Sequence, residues 1–146
     1  MQIKIKRLNP QVPLPFYATQ GSAAMDLTAV CPNEGIVIEP MQRVLIPTGI
    51  AVALPSADYV GLLFARSSLG VKKGVALANG VGVIDADYRG EICVALVNLS
   101  NETVVIQNGE RIAQLAVMPI ARVQIEEVDT LDETLRGAGG FGSTGQ

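Results

Sequence analysis

Asp85 is the first candidate for a reactive side chain in this sequence. It ends a short apolar run and opens the string Asp85-Ala-Asp87-Tyr88-Arg89-Gly90. Burial there would favour the neutral acid, whereas a nearby cation would favour the carboxylate, and the sequence leaves both open. The string is also typical of a turn in which an aspartate caps its own backbone. Asn79-Gly80 precedes this run, and the two ends together predict a hairpin over 79–90.

A second group of candidates lies in the glycine-rich tail at 137–145. Glycines let backbone N–H groups approach an anion closely, and guanidinium or hydroxyl groups add donors suited to phosphate. Arg136, Ser143 and Thr144 supply such donors, and Phe141 adds a ring that could stack on a base. A phosphate-binding P-loop is excluded because Ser143 stands where that loop has lysine. A frayed tail and an arm that orders on a ligand both fit the composition.

Further polar positions lie in or beside apolar runs. Arg66, Ser67 and Ser68 follow a predicted strand, where they could form an anion site or an ordinary helix cap with the arginine in solvent. Asp26 is a lone acid among apolar residues, and its structural alternative is an ion-paired aspartate. Gln114 lies in a long apolar run and could equally be a core amide with satisfied hydrogen bonds.

Composition excludes several classes of function. The chain has 146 residues, the size of one domain, with 11 Lys plus Arg against 14 Asp plus Glu. The net charge of −3 argues against a nucleic-acid-binding module, which usually carries a basic patch. The lack of histidine excludes imidazole metal sites and Ser-His-Asp chemistry. Cys31 and Cys93 form no Cys-x-x-Cys pair, and we expect buried free thiols rather than a disulfide.

Short runs rich in Val and Ile, punctuated by Gly, Pro, Asn and Asp, predict an all-β fold. Strands are expected at 3–7, 36–38, 43–46, 50–54, 59–64, 81–84, 91–99, 103–106, 111–118 and 122–128, with one helical turn at 67–72. They form one domain over 1–128, and a polar segment that cannot order itself follows over 129–146. The string MQIKIKRLNP lacks the apolar run of a signal peptide, and no run approaches a membrane span. We therefore expect a cytoplasmic protein.

Taken together and in this order, these segments resemble the trimeric deoxyuridine triphosphatase (dUTPase) family. All five motifs of that family have counterparts, namely ATQGSAAMDL at 18–27, ARSSLG at 65–70, NGVGVIDADYRGEI at 79–92, GERIAQLAVMPI at 109–120 and RGAGGFGSTG at 136–145. The third and fifth motifs are highly specific, and the first is loose. One departure is Ser68, which stands where many members have glycine and adds a side chain beside the phosphates.

The resemblance implies a compact, jelly-roll-like (β-clip) subunit of a three-fold homotrimer with active sites at the subunit interfaces. The segment 129–146 would be a flexible arm that closes over a site. The implied reaction is hydrolysis of dUTP to dUMP and pyrophosphate with Mg²⁺, which keeps uracil out of DNA and supplies dUMP for dTTP synthesis. No nucleic acid and no membrane are implied as partners.

The resemblance also assigns roles to individual residues. Asp85 would be the general base that activates water for attack on the α-phosphorus. Asp26 would reach the metal through water. The remaining contacts to the substrate would come from Arg66, Ser67, Ser68, Asn79, Gly82, Val83, Ile84, Tyr88, Gln114, Arg136, Phe141, Gly142, Ser143 and Thr144.

Each part of the nucleotide would have its own group of residues. The backbone over 79–88 would read uracil as a base-pairing edge, and Tyr88 would pack under the deoxyribose and exclude a 2′-hydroxyl. Arg66 and its two serines would contact the α- and β-phosphate region, with Gln114 donating nearby. The γ-phosphate would be held by Arg136, Ser143 and Thr144, and Phe141 would stack on the base.

Three other functions compete with this interpretation. A dCTP deaminase has the same subunit fold and a similar Arg-Ser-Ser segment, but its acid–base glutamate has no convincing counterpart here. A catalytically idle binding protein on the same fold is disfavoured because all five motifs are intact. A purely structural jelly-roll subunit would explain the strands but not the polar clusters.

Overall fold

The computed structural model describes residues 1–140, which form eleven β-strands and one short α-helix. In chain order the elements are β1 (Lys4–Arg7), β2 (Met25–Thr28), β3 (Ile36–Ile38), β4 (Arg43–Pro47), β5 (Ile50–Ala53), β6 (Tyr59–Ala65), α1 (Ser67–Lys73), β7 (Val75–Leu77), β8 (Gly82–Ile84), β9 (Cys93–Asn98), β10 (Val104–Ile106) and β11 (Arg111–Pro119). The predicted all-β fold class is confirmed.

All strand pairings in the described chain are antiparallel. The largest sheet has the order β2-β11-β6-β8, and a second sheet has the order β4-β9-β7. Two strand pairs, β1-β5 and β10-β3, complete the fold. β11 is nine residues long and lies between β2 and β6, so it joins segments that are distant in the chain. This sheet therefore brings together the polar candidates at 26, 66 and 114.

The core is aliphatic and is shared by the sheets. Its largest fully buried apolar side chains are Leu27, Ile38, Ile46, Ile50, Ile92, Leu96, Ile106, Ile112, Leu115, Val75 and Val94. Branched side chains pack well on a pleated surface, and each fully buried one favours folding by about 1.5–3 kcal/mol. Four polar side chains are buried with them, namely Asp26, Thr28, Thr48 and Asn98. Each of these requires a partner, because an unpaired buried polar group is costly.

The helix α1 begins directly after β6 and ends at Gly74. Leu69 is the side chain that anchors the helix in the core. Gly74 has a φ of 66°, and its N–H donates to the carbonyls of Gly70 and Leu69, which closes the helix in the left-handed conformation that glycine favours. The helical turn expected at 67–72 is confirmed with one further residue.

Two short strands of the structure were not predicted from the sequence, and one predicted strand is absent from the described residues. β2 and β7 lie in segments for which no strand was predicted. The strand expected over 122–128 is wrong for the isolated chain, which has no regular element there. Val123 is 80% and Ile125 is 93% exposed, so this alternating segment has no surface of its own chain to cover it.

The predicted hairpin over 79–90 is also wrong. β8 pairs with β6, whereas β7 pairs with β9, so the two strands that flank Asn79-Gly80 belong to different sheets. Gly82 explains this pairing, because a Cβ on it would lie 2.9 Å from the Cβ of Leu63 in β6. Only glycine permits such a close approach without a shift of its neighbour. The segment is therefore a loop, a three-residue strand and a turn.

Three further expectations have structural counterparts. Cys31 and Cys93 are free thiols, as predicted, although both are half-buried rather than buried. No helix within residues 1–140 is long and apolar enough to cross a membrane. The boundary expected at 128–129 is not marked by a change of element, because β11 ends at Pro119 and no regular element follows it up to residue 140.

Asn98 at the end of β9 is completely buried, and its side chain connects β9 to β3 and to the turn before β10. Its amide nitrogen donates to the carbonyls of Ile38 at 2.9 Å and Glu102 at 2.7 Å. Its amide oxygen accepts from the backbone and hydroxyl of Ser100 at 2.9 and 2.7 Å. The side chain thus replaces ladder hydrogen bonds where the chain turns from β9 to β10.

We predict that Asn98→Ala lowers the free energy of unfolding by about 2–4 kcal/mol, because it leaves several buried polar groups unpaired. Denaturant unfolding followed by circular dichroism measures the loss. Asn101→Ala is the matched control, since Asn101 is exposed in the same turn. Equal stability of the two variants would show that the Asn98 network does not stabilise this turn.

Candidate active site

A cavity of about 360 Å³ lies beside the third sequence motif, and this size suits a small ligand. Most of its wall comes from the segment 79–93, and β4 and β6 add one side chain each. The lining residues are Leu45, Leu63, Asn79, Gly82, Val83, Ile84, Asp85, Tyr88, Glu91, Ile92 and Cys93. Six of the predicted site residues therefore share one cavity, namely Asn79, Gly82, Val83, Ile84, Asp85 and Tyr88.

β8 lies at the edge of the four-stranded sheet and forms one wall of the cavity. It pairs with β6 on one side only, so its other side carries backbone N–H and C=O groups free of ladder partners in the described chain. A planar ligand with donors and acceptors along one edge could pair with them. The predicted backbone recognition thus has an open strand edge, although the hairpin itself is absent.

Asp85 and Tyr88 lie on one turn directly after β8. The backbone N–H of Tyr88 donates to the carbonyl of Asp85 at 3.2 Å. Asp85 is exposed, and Tyr88 is 43% exposed with its hydroxyl donating to the carbonyl of Glu91 at 2.9 Å. A carboxylate and a ring thus stand side by side at the rim of the cavity.

Asp26 is the centre of a second polar cluster. It is 2% exposed, and its Oδ1 lies 2.9 Å from Nε of Arg66 while its Oδ2 accepts from Nη1 of Arg111 at 3.0 Å. The Arg66 N–H is not aligned with the carboxylate, so the first contact is an ion pair without a hydrogen bond. Nε2 of Gln114 lies 3.5 Å from Oδ1, at the limit of a hydrogen bond. These ion pairs match the structural alternative for Asp26.

The strand register explains this second cluster. Asp26 is opposite Gln114, and Gln114 is opposite Phe64, so these residues lie side by side on one face of the sheet. Arg66 directly follows the last residue of β6, two positions after Phe64. Its Nη1 lies 3.4 Å from the hydroxyl of Ser68. Ser67 is exposed at the start of α1. The phosphate candidates Arg66, Ser68 and Gln114 thus lie close to Asp26 or to each other, and their role in phosphate binding stays a prediction.

The two clusters remain separate within one chain. None of Arg66, Ser67, Ser68 and Gln114 lines the cavity beside Asp85 in the described part of the chain. One chain therefore presents a pocket with a carboxylate in one place and cationic and hydroxyl donors in another.

Of the predicted tail residues, the structure describes only Arg136. Arg136 is exposed, and its Nε donates to the carbonyl of Gly139 at 2.9 Å within a local turn. Phe141, Gly142, Ser143 and Thr144 lie outside the residues that the structure describes. Their assigned contacts to base and γ-phosphate stay predictions.

Sequence reasoning missed Arg111, Glu91 and Cys93. Arg111 is recognisable only through the register of β2 and β11, which a sequence does not show. Burial raises the pKa of the Cys93 thiol, and the negative charge of Glu91 raises it further. The thiol therefore stays protonated at neutral pH and is a poor nucleophile. Of the two carboxylates in the cavity wall, Asp85 is exposed, whereas Glu91 is half-buried and accepts from the N–H of Gly49.

Candidate metal ligands in residues 1–140 do not form a cluster. No three His, Cys, Asp or Glu side chains among residues 1–140 group closely enough to hold an ion. Both oxygens of Asp26 already contact guanidinium groups. The water-mediated role of Asp26 stays a prediction.

Comparison with known proteins identifies relatives over the full chain. A family model described as dUTPase matches residues 10–145. A deoxyuridine 5′-triphosphate nucleotidohydrolase of Acinetobacter baumannii is 46% identical over 150 residues, covering 100% of this chain and 99% of that protein. The enzyme of the same name from Hydrogenobaculum sp. is 48% identical over 145 residues, covering 99% of both chains.

Solved structures of dUTPases match this chain in fold. The dUTPase of Staphylococcus bacteriophage 80alpha with dUpNHpp matches with a TM-score of 0.87 and 28% identity, covering 99% of both chains. The dUTPase from Streptococcus mutans matches with a TM-score of 0.74 and 33% identity, covering 82% of this chain and 98% of that one. A mutant dUTPase from phage phi11 of S. aureus, which coordinates a structural Mg(II) ion, shares the fold with a TM-score of 0.77 at 23% identity, covering 91% of this chain and 100% of that one.

We predict that Asp26→Asn lowers the free energy of unfolding by about 1.5–3 kcal/mol, because Arg66 and Arg111 lose a charged partner at a buried position. Thermal and denaturant unfolding measure the change. Asp132→Asn is the matched control, since it removes one exposed carboxylate. An unchanged stability of Asp26→Asn would mean that the two ion pairs only offset the cost of burying the carboxylate.

Proposed function

Because the chain belongs to the dUTPase family, we propose that the cavity beside Asp85 takes the deoxyuridine of dUTP and that Asp85 activates the attacking water. The reaction itself follows from family membership, and the chain is a dUTP diphosphatase that forms dUMP and pyrophosphate. The observation that carries the proposal is the position of Asp85. It lies at the rim of a cavity of nucleoside size, on the same turn as Tyr88.

The proposed chemical step is an in-line attack on the α-phosphorus. Asp85 accepts a proton from water as the water oxygen bonds to phosphorus, and the bond from the α-phosphorus to the bridging oxygen breaks. The electron pair leaves with pyrophosphate, and the acid later loses its proton to solvent. A positioned general base contributes about 10²–10⁴ in rate. Alignment of the triphosphate and stabilisation of its developing charge supply the remainder.

The open edge of β8 is proposed to read uracil. Its backbone groups can pair with the N–H and carbonyl groups of the base, with Asn79 assisting from the same cavity. Cytosine presents a donor where uracil presents an acceptor, which leaves buried groups unpaired at a cost of about 1–3 kcal/mol. Thymine is proposed to be excluded because its additional methyl group would not fit against this wall of the cavity. Tyr88 packs against the deoxyribose and excludes a 2′-hydroxyl.

The cluster around Asp26 is proposed to hold the phosphates. Arg66 presents a planar fork of donors suited to phosphate, and Ser67, Ser68 and Gln114 lie beside it. Oδ1 of Asp26 lies 2.9 Å from Nε of Arg66, and this ion pair fixes the direction of the other donors of the guanidinium.

The described residues fit a divalent ion that the triphosphate carries into the site. Mg²⁺ usually keeps several waters and uses few carboxylates besides substrate phosphates, so no protein cage is needed. Oδ2 of Asp26 contacts Arg111 and retains a second lone pair that a metal-bound water could use. When bound, the ion would neutralise charge on the triphosphate oxygens.

The separation of the two clusters supports a shared site between copies of the chain. In the proposed homotrimer the cavity of one copy meets the phosphate cluster of another. The face of the four-stranded sheet that carries Gln114 also carries exposed apolar side chains, which a partner would cover. They are Phe16 at 44%, Phe64 at 36%, Val83 at 62% and Met118 at 46% exposure.

The C-terminal arm over 129–146 is proposed to close the site. Arg136, Ser143 and Thr144 would hold the γ-phosphate, and Phe141 with Gly142 would cover the base. The exposure of the described part of this segment supports the proposal, because few contacts tie it to its own domain.

A substrate panel tests the assigned base and sugar recognition. With Mg²⁺ present, we predict pyrophosphate from dUTP, about 10–100-fold less from dCTP, dTTP and UTP, and no ammonia.

A variant tests the role of Asp85. Asp85→Asn lowers kcat by about 10²–10⁴ with KM changed little, because asparagine removes the general base and keeps the shape of the side chain. Asp87→Asn is the matched control two residues away.

Each contrary outcome has a distinct meaning. Ammonia from dCTP would place the chain with the deaminases that share the fold. Full activity of Asp85→Asn would remove Asp85 from the chemical step. Nucleotide binding without any product would favour a binding protein.

Removal of residues 136–146 tests the arm. We predict that kcat/KM for dUTP falls at least about tenfold, because the charged contacts to the γ-phosphate are lost, while the assembly is retained. Pyrophosphate release and light scattering after gel filtration measure the two properties. Removal of 145–146 alone is the control, since no role is assigned there. Equal activity of the two truncated chains would contradict the proposed closure.

A further inference from the structure

Residues 91 and 92 are fastened to the turn between β4 and β5. Oε1 of Glu91 accepts from the backbone N–H of Gly49 at 2.7 Å. The buried hydroxyl of Thr48 donates to the carbonyl of Ile92 at 2.6 Å, and the N–H of Ile92 donates to the carbonyl of Ile50 at 2.8 Å. The end of the third motif is therefore held by a different sheet.

The anchor of Glu91 is itself rigid. Gly49 has a φ of +69°, and a Cβ on it would lie 2.6 Å from Cγ2 of Val12. Its carbonyl accepts from the N–H of Leu8 at 2.8 Å, so both backbone groups of Gly49 are occupied. A half-buried carboxylate on such an N–H forms a charge-assisted hydrogen bond, which is stronger than a neutral one.

The other end of Glu91 holds the ring of Tyr88. The tyrosine hydroxyl donates to the backbone carbonyl of Glu91 at 2.9 Å. The ring packs on the backbone of Gly90, where an added Cβ would lie 2.5 Å from Oη and 2.6 Å from Cζ. Glu91 therefore connects the ring at the cavity rim to the fixed turn at Gly49.

We propose that Glu91 is a positioning residue for sugar selection, acting through Tyr88. By holding Gly49 with its carboxylate and the tyrosine hydroxyl with its carbonyl, it keeps the ring where it excludes a 2′-hydroxyl. The inference rests on the proposed function, which places Tyr88 against the deoxyribose. It predicts that a change at Glu91 alters the preference for dUTP over UTP more than it alters the chemical step.

The test compares Glu91→Ala with Glu91→Gln, because glutamine keeps an acceptor for the N–H of Gly49. For Glu91→Ala we expect the ratio of kcat/KM for dUTP to that for UTP to fall about tenfold, the equivalent of one charge-assisted hydrogen bond. The fall in this ratio should come mainly from changes in KM, and kcat for dUTP should stay within about threefold of the wild-type value. Glu91→Gln should recover most of the ratio.

Tyr88→Phe gives an independent measurement if Glu91→Ala folds poorly. It removes the hydroxyl that donates to Glu91 and should itself lower the dUTP-to-UTP ratio. If both residues act through one contact, the double variant should lose less than the product of the two single losses. Thermal unfolding of each variant shows whether it is folded under the assay conditions.

The outcomes separate this inference from the proposed function. A wild-type chain that does not distinguish dUTP from UTP would overturn the assigned role of Tyr88 and the inference with it. A selective wild type with an unchanged ratio in Glu91→Ala would overturn the inference alone. Equal ratios in Glu91→Ala and Glu91→Gln would show that the acceptor on Gly49 is not what holds the ring.

Discussion

The buried carboxylate of Asp26 is the interaction on which the four-stranded sheet and its polar cluster depend. It lies on β2, opposite β11, and binds one arginine that follows β6 and another that begins β11. An isolated charge at this depth would be very costly, and two guanidinium groups together offset that cost. The pairs also orient Arg66, so the stability of the sheet and the proposed phosphate binding both depend on one side chain.

The second constraint is that residue 82 is a glycine and has no side chain. Gly82 lets β8 lie against Leu63, and this contact sets the cavity wall and leaves the other edge of β8 open. Hydrogen bonds from Thr48 and Gly49 then fix the far end of the same segment. Asp85 and Tyr88 are thus held between two sheets although both are exposed.

Short runs rich in Val and Ile predicted most of the strands, and six of the candidate residues from the third motif line one cavity. Their roles in binding and catalysis stay predictions. It did not predict β2 or β7, because their short apolar runs carry no distinctive period. The hairpin over 79–90 was wrong because turn chemistry at Asn79-Gly80 does not reveal which sheet the next strand joins. Arg111 was missed because its role depends on register between strands 85 residues apart. The strand over 122–128 was wrong because its alternation has no surface to pack against in a single chain.

The division of the site into two clusters has a genetic consequence. In the proposed shared site, a chain without the Asp85 carboxylate and a chain without the Arg66 guanidinium are damaged in different halves. When such chains assemble together, some of their interfaces combine two intact halves. Alleles of these two kinds would therefore complement each other, whereas two alleles in the same half would not.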